Sequence, residues 1–276
     1  MQGRVGVFDS GVGGLSVWAQ IRRQLPNCPV IYYADQANFP YGTRSSEELR
    51  ALSVAIVEDF LRHDVGIIAI ACNSASAAAL KYLRERYPQL AFVGMEPAIK
   101  PAVHCSLSGV VAVLATAVTL EGELLENVIA RYSRGARVIR QPCQGLVECV
   151  ESGLLEGDST RALLQQALDP CVEQGADTLV LGCTHYSFIA PLISQLYPQL
   201  QVIDPAPAVA RRVASLLGGG QPERSEDKLE KCGVAPQILV TSAEARSFQA
   251  IFRKIFQGDS GEDVCFMKVG PASSLD

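Results

Sequence analysis

Two cysteines stand at matching places in the sequence. Cys72 lies in GIIAIACNSAS (66–76) and Cys183 in DTLVLGCTHYS (177–187), and each follows an apolar run and precedes a polar pair and a helical pattern. In an open α/β sheet, ligands bind beyond the carboxyl ends of the strands. A thiol there faces a helix N-terminus, which is expected to lower its pKa from about 8.5 toward neutrality. A buried structural cysteine is the more common use of a free thiol, but it has no need of this position. The matched pair therefore indicates two functional thiols.

Two thiols that face each other across a cleft suit the inversion of a carbon acid. One thiolate removes a proton, the carbanion flattens, and the other thiol returns a proton to the opposite face. Metal binding is the competing use, through Cys183 with His185 or His104 with Cys105. The sequence contains no Cys-x₂-Cys spacing and the candidate ligands are scattered, so we expect neither a metal nor a cofactor.

FDSGVGGLS (8–16) is the second dense motif. It places Asp9 at the end of an apolar run, Ser10 beside it, and three glycines that permit a tight turn close to a ligand. Asp9 could assist proton transfer at a nearby thiol while Ser10 and the turn amides hold a carboxylate. The same residues could instead cradle a phosphate, or merely connect a strand to a helix. Nucleotide folds usually carry such a loop in a β-hairpin, whereas LSVWAQIRRQLP indicates an immediate helix, which disfavours the phosphate alternative.

Two weaker signals accompany these motifs. His185, two residues after Cys183, could donate to a substrate or to a thiolate, or simply be solvated at a helix start. Tyr41 and Gly42 lie in a PYG turn that could border a ligand, although such turns are common.

The elements that position these residues alternate between short apolar runs and helical patterns. The runs lie at 5–8, 67–71, 110–115 and 178–181, and the helical patterns at 15–25, 74–86, 120–132 and 188–196. This alternation is typical of buried parallel sheets flanked by helices, so the fold class is α/β. Because RVGVFDSGVGG (4–14) matches GVVAVLATAVT (109–119) and the two cysteine segments match each other, we predict two related lobes with a cleft between them. A final strand and helix are expected at 238–241 and 243–256, a surface loop at 218–233, and an unstructured tail at 258–276.

Net charge, the length of apolar stretches and the distribution of cysteines exclude several classes of protein. The chain has 276 residues and a net charge of −5, which disfavours general nucleic-acid binding. It has no apolar stretch long enough for a membrane span, and Asp9 and the glycines interrupt any signal-peptide core. Nine cysteines spread along the chain do not form a disulfide framework. We expect a cytoplasmic protein with reduced thiols, and the sequence leaves a homodimer open.

The sequence resembles the glutamate racemases of the aspartate/glutamate racemase superfamily from about residue 4 to about residue 257. The motifs that carry the resemblance are FDSGVGG (8–14), PYG (40–42), ACNSASA (71–77), EPA (96–98), GLVE (145–148) with Glu151, LGCTHY (181–186) and DPA (204–206). Several such motifs in the right order make the match specific.

The resemblance implies two pseudo-symmetric α/β domains with the active site between them. The first would span 1–96 and 207–257 and carry Cys72, and the second would span 97–206 and carry Cys183. The catalytic set that it implies is Cys72, Cys183, Asp9, Glu151 and His185, with Asp35 at a less certain acidic position. The implied substrate-binding set is Asp9, Ser10, Tyr41, Gly42, Cys72, Asn73, Ser74, Thr116, Thr184 and His185.

The implied activity is cofactor-independent interconversion of L- and D-glutamate, which would supply D-glutamate for bacterial peptidoglycan. Ser74 stands where the family usually has Thr, which keeps a hydroxyl and the chemistry but could alter affinity. Ser187 stands where the family often has Pro, beyond His185, and puts little in doubt. We also expect no activation by a cell-wall precursor of the kind associated with N-terminal extensions. Aspartate racemisation is the near alternative, since pocket size is not readable from sequence. A nucleotide-phosphate-binding enzyme and a non-catalytic two-lobed binding protein are the alternatives from other classes.

Overall fold

The fold is built from two parallel β-sheets, seen in a computed structural model that describes residues 4–218, 237–257 and 264–269. The first sheet has the strand order β10-β9-β2-β1-β3-β4 and the second has the order β6-β5-β7-β8. The strands are β1 (Arg4–Asp9), β2 (Val30–Ala34), β3 (Val65–Ile70), β4 (Ala91–Gly94), β5 (Val110–Ala115), β6 (Arg137–Pro142), β7 (Thr178–Gly182), β8 (Gln201–Ile203), β9 (Gln237–Thr241) and β10 (Val264–Lys268). Every pair of neighbouring strands in these sheets is parallel.

Helices connect the strands, as parallel pairing requires. They are α1 (Leu15–Gln24), α2 (Ser46–Leu61), α3 (Asn73–Arg86), α4 (Ile99–Cys105), α5 (Ala117–Glu121), α6 (Glu123–Tyr132), α7 (Leu146–Glu151), α8 (Asp158–Glu173), α9 (Ala190–Leu196), α10 (Ala206–Leu216) and α11 (Ala245–Ile255). Short 3₁₀ helices cover Gln36–Asn38, Tyr41–Thr43 and Thr184–Ile189. The predicted α/β class with mainly parallel sheets is confirmed.

The two sheets repeat one topology. The order β2-β1-β3-β4 in the first sheet matches β6-β5-β7-β8 in the second, so β3 and β7 occupy equivalent places. Cys72 follows β3 and Cys183 follows β7 directly. The internal similarity of the sequence therefore corresponds to a repeat of strand order, and it brings the two thiols to the carboxyl ends of equivalent strands.

Strand residues alternate between two apolar cores. Val5 and Val7 of β1 belong to the largest core, which runs on through Leu114 of β5 and Leu181 of β7, while Phe8 points into a second core on the other face of the first sheet. This alternation follows from the two-residue period of a strand. Because the largest core includes residues of both sheets, the two repeats share one body of buried apolar side chains.

Two local predictions need correction. The single helix expected over 120–132 is two helices, because Gly122 adopts extended backbone angles between α5 and α6. Part of the segment expected to be an unstructured tail forms β10, which pairs with β9 along its whole length. Val264 and Phe266 of this edge strand face the largest core, where Phe266 packs on Phe252 of helix α11.

Other expectations lie outside the described residues. Apart from Gly218, the predicted loop at 218–233 falls there, as do 258–263 and 270–276 of the predicted tail. The division into 1–96 with 207–257 and 97–206 stays a prediction. Strand β9 nevertheless pairs with β2 and helix α10 packs on α1, so chain that follows the second sheet returns to the first.

Within the described ranges, no helix has the length and apolar character needed to cross a membrane. Over the same residues, no three His, Cys, Asp or Glu side chains are grouped so that they could hold a metal ion.

Candidate active site

A cavity of about 370 Å³ lies where the carboxyl ends of both sheets meet. This is the position and size expected for a small-molecule site in a parallel α/β protein. Eleven predicted site residues line it, namely Asp9, Ser10, Tyr41, Gly42, Cys72, Asn73, Ser74, Thr116, Cys183, Thr184 and His185. Glu151 does not line the cavity and lies behind His185. The structure thus brings both predicted thiols to one cavity.

Cys183 belongs to a three-residue relay. Its Sγ lies 3.7 Å from Nδ1 of His185, and Nε2 of the same imidazole lies 2.7 Å from Oε1 of Glu151. The His185 side chain is 3% exposed and that of Glu151 is 12% exposed. A carboxylate that accepts from one imidazole nitrogen orients the ring and supports a positive charge on it. The relay can therefore take up and return a proton at the Cys183 thiol.

His185 and Glu151, the other two members of the relay, have pKa values shifted in opposite directions. Burial opposes charge on His185, but its hydrogen bonds with Cys183 and Glu151 prevail and raise its pKa well above the ordinary value. Burial also opposes charge on Glu151, but hydrogen bonds from His185, the Val12 N–H and Gln36 lower its pKa. Both shifts favour an ionised carboxylate beside a protonated imidazole.

Cys72 has a different environment. It caps the N-terminus of α3 and accepts a hydrogen bond from the Ala75 N–H at 3.5 Å. Burial nevertheless raises the pKa of this thiol well above its ordinary value, and the nearby Asp9 carboxylate raises it further. The expectation that the helix terminus would bring the Cys72 pKa toward neutrality is therefore wrong. Loss of water around the sulfur outweighs one weak N–H···S contact.

Asp9 connects the Cys72 side of the cavity to the Cys183 side. It is fully buried, and its Oδ2 accepts from the Gly14 N–H at 2.5 Å and from the Thr184 hydroxyl at 3.1 Å. The Ser10 N–H donates to Oδ1 at 2.7 Å. Burial raises the pKa of Asp9, and this effect exceeds the lowering by His185, Cys72 and Ser10. A carboxyl group that binds a proton more readily than usual is suited to exchange one with the adjacent thiol.

The amides of the glycine-rich turn are already occupied by protein carboxylates. Ser10 and Gly14 donate to Asp9, and Val12 donates to Oε1 of Glu151 at 2.6 Å. These are the N–H groups that a phosphate cradle would need. The Ser10, Val12 and Gly14 amides thus bind carboxylates of the protein itself, so the expectation that the turn amides hold a ligand's carboxylate is not met by these three N–H groups.

Glycine is required in this turn because it packs directly against the relay. A Cβ at Gly13 would lie 2.3 Å from Nδ1 of His185, and one at Gly11 would lie 1.9 Å from Oε1 of Glu151. Both distances are far inside van der Waals contact. The turn therefore fits against His185 and Glu151 only when positions 11 and 13 carry no side chain.

Polar groups on the cavity wall remain available to a ligand. Asn73 is 3% exposed, and neither its Nδ2 nor its Oδ1 has a hydrogen-bond partner. A buried amide without partners is costly unless a ligand satisfies it. Beside it, the Ser74 and Thr116 hydroxyls lie 3.0 Å apart and join the two halves of the wall.

Asp35 supports the wall without lining it. Its carboxylate accepts from the Tyr41 hydroxyl at 2.6 Å and from Ser242 Oγ at 2.8 Å. Tyr41 is thereby held at the cavity, where Gly42 in turn packs on Thr116.

Sequence reasoning missed several residues of the site. Gln36 and the Val12 N–H both contact Glu151, and Phe39, Cys143 and Glu148 line the cavity. Cys143 and Glu148 adjoin or fall within the GLVE motif, which could have indicated them. Nothing in the local sequence marks Gln36, because its partner is 115 positions away.

A parallel α/β fold that repeats its strand order and brings one thiol from each repeat to a shared cavity belongs to the class of enzymes that invert a carbon acid. The chain belongs to the Asp/Glu/Hydantoin racemase family, whose model matches residues 12–213. The sequence prediction of this family is confirmed.

Named relatives are glutamate racemases. The glutamate racemase of Ectopseudomonas mendocina is 51% identical over 218 residues, which cover 79% of this chain and 83% of the relative. That of Roseiflexus sp. is 48% identical over 77% of this chain and 79% of the relative. Among solved structures, Escherichia coli glutamate racemase in complex with L-glutamate and the activator UDP-MurNAc-Ala matches with a TM-score of 0.81 at 30% identity, over 97% of this chain and 98% of that one. Glutamate racemase RacE1 of Bacillus anthracis matches with a TM-score of 0.81 at 27% identity, over 98% of this chain and 97% of that one.

Proposed function

We propose that this protein interconverts L- and D-glutamate by a two-base mechanism in which Cys72 and Cys183 act on opposite faces of Cα. The observation that carries the proposal is that both thiols line one cavity and that each has its own acid–base partner. Cys72 is paired with Asp9, and Cys183 is paired with the His185–Glu151 relay.

The reaction conserves protons at each step. In one direction a thiolate on the first face takes the α-proton and becomes a thiol, and the electron pair remains on Cα as a planar carbanion. The thiol on the second face then delivers its own proton to Cα and is left as a thiolate. Asp9 or His185 returns the protons to their starting positions, and the reverse reaction exchanges the two roles.

Glutamate is the substrate that the relatives favour and that the wall groups can bind. The unpartnered Asn73 amide, the Ser10 and Thr184 hydroxyls and the Ser74–Thr116 pair offer both donors and acceptors to an amino acid's ammonium and carboxylates. The Escherichia coli relative is described in complex with L-glutamate. We therefore place glutamate before aspartate.

The proposed physiological role is supply of D-glutamate for bacterial cell-wall peptidoglycan, which rests on family membership. A mechanism that requires two free thiols also favours the reducing bacterial cytoplasm as its location. The homodimer that the sequence leaves open stays a prediction.

The proposal is tested by following L- or D-glutamate by circular dichroism with purified protein and no added cofactor. Both enantiomers should relax to the same racemic end point. Cys72→Ser and Cys183→Ser should each abolish racemisation, and full turnover in either variant would exclude the two-thiol mechanism. In deuterated water, label should enter mainly the inverted product. Label that enters unreacted substrate first would favour a single base.

A further inference from the structure

Gln36 joins the first sheet to the relay through the Glu151 oxygen that does not contact His185. It directly follows Asp35 after the carboxyl end of β2, where Ala34 is in register with Thr241, the last residue of β9. Gln36 Oε1 lies 2.8 Å from the Thr241 hydroxyl, and Gln36 Nε2 lies 3.1 Å from Oε2 of Glu151. Thr241 itself is fully buried. The side chain therefore spans from a strand end in the core to the carboxylate that orients His185.

The directions of these hydrogen bonds are fixed by their surroundings. The Ala243 N–H can only donate, and it donates to Thr241 Oγ1 at 3.1 Å. The Glu151 carboxylate, whose lowered pKa favours the ionised form, can only accept, so Gln36 presents Nε2 to it as a donor. Gln36 Oε1 then faces the Thr241 hydroxyl and accepts from it. An amide N–H at this place is satisfied by an ionised carboxylate and not by the O–H of a protonated one.

Each oxygen of Glu151 consequently has a separate task. Oε2 accepts from Gln36, while Oε1 accepts from the Val12 N–H at 2.6 Å and lies 2.7 Å from Nε2 of His185. Without Gln36, the carboxylate plane could rotate about the side chain and Oε1 would no longer be held in line with the imidazole.

We propose that Gln36 is a positioning residue for racemisation: held by Thr241, it fixes the Glu151 carboxylate so that its other oxygen keeps His185 against Cys183. This inference rests on the proposed function and extends it to a residue outside the cavity. The second layer of hydrogen bonds around a reactive histidine commonly governs its orientation and basicity.

The titratable groups that face the relay come from three elements. Asp9 of β1 faces His185 and Glu151, Tyr32 of β2 faces Glu151, and Cys72 at the start of α3 faces Cys183. Gln36 is uncharged, so its removal changes hydrogen bonding around Glu151 without adding or removing a charge.

The test compares Gln36→Met, which keeps the length of the side chain and removes the amide, with wild type. We expect kcat to fall about tenfold, the loss typical of one hydrogen bond to a charged group, while KM changes less than about twofold. The acidic limb of the kcat/KM profile should move to higher pH, because Glu151 loses a donor to its ionised form. Thr241→Val should act in the same direction and Thr241→Ser should restore wild-type kinetics.

Two measurements separate positioning from general loss of structure. In a Glu151→Ala background, Gln36→Met should have no further effect on kcat. The chain has three histidines, so the imidazole of His185 can be assigned and titrated by NMR, and its pKa should fall in Gln36→Met. Gln165→Leu, at an exposed position of α8, is the matched glutamine control and should match wild type in kcat and in the His185 titration.

An undiminished kcat with an unchanged pH profile in Gln36→Met would overturn the proposal, as would a tenfold loss that persists in the Glu151→Ala background. If wild type fails to racemise glutamate, the proposed function is wrong. The titration of His185 still decides, independently of turnover, whether Gln36 positions the relay: a lowered pKa in Gln36→Met supports the positioning role, and an unchanged pKa overturns it.

Discussion

Replacing Gly13 by alanine tests whether the fit between the glycine-rich turn and the relay determines activity. The added Cβ would lie 2.3 Å from Nδ1 of His185 and 2.6 Å from both its Cε1 and Thr184 Oγ1. Ordinary contact begins near 3.4 Å, so the imidazole must retreat by about 1 Å. Nδ1 is also the atom that faces Cys183 at 3.7 Å. The substitution therefore acts on the proton relay through space.

The expected loss follows from that displacement. A shift of about 1 Å in a catalytic group typically costs about 100-fold in rate. Crowding of a packed site should also destabilise the fold by about 1–3 kcal/mol, which leaves the protein folded at 25 °C. We thus expect kcat to fall about 100-fold, in a protein that still unfolds cooperatively.

The assay is racemisation of glutamate followed by circular dichroism, with thermal unfolding measured on the same samples. Gly66→Ala is the matched control, because a Cβ there meets nothing within 4 Å. It should retain full activity. If Gly13→Ala racemises glutamate at the wild-type rate, then the close approach of the turn to His185 does not govern the chemistry and this reasoning is refuted.

Three further outcomes are expected. Asn73→Ala should raise KM about tenfold with a smaller effect on kcat, because the buried amide is available to substrate, and an unchanged KM would contradict that role. Glu151→Gln should lower the raised pKa of His185 and move the high-pH limb of kcat/KM to lower pH, since the imidazolium loses its anionic partner; a limb that stays in place would argue against the relay. Burial opposes charge on Asp177, but hydrogen bonds from Ser106 and neighbouring amides prevail and lower its pKa to about 2, so Asp177 should stabilise the fold at neutral pH and lose this contribution as pH falls from about 4 toward 2. Asp177→Asn should accordingly cost about 1–2 kcal/mol at pH 7, measured by urea unfolding, and a cost that did not shrink near pH 2 would contradict the linkage.

The sequence predicts the parts of the site that local patterns can encode. Cys72 and Cys183 each follow an apolar strand and precede a helical segment, and both are found at carboxyl strand ends in equivalent places. Asp9 likewise ends β1 within a glycine-rich turn. These predictions succeed because strand, turn and helix are properties of neighbouring residues.

Contacts between distant segments are not encoded in this way. The reason for the glycines at Gly11 and Gly13 is steric contact with Glu151 and His185, and the role of Gln36 depends on Thr241, 205 positions later. The Cys72 pKa was mispredicted for a related reason. A helix terminus can be recognised in the sequence, but the degree to which the folded protein excludes water from a sulfur atom cannot.

The order of the strands also affects how the chain is made. Strand β2 lies near the beginning of the sequence, yet its partner β9 begins at Gln237, after the whole second sheet. During synthesis, the apolar edge of β2 stays unpaired until nearly the whole chain has left the ribosome, and an unpaired strand edge is prone to aggregate. Thr241 arrives with the same late strand, so the support for Gln36 also forms late. A ribosome-bound chain that stops before β9 would contain both cysteines, His185 and Glu151 and still lack the Thr241 hydroxyl that holds Gln36.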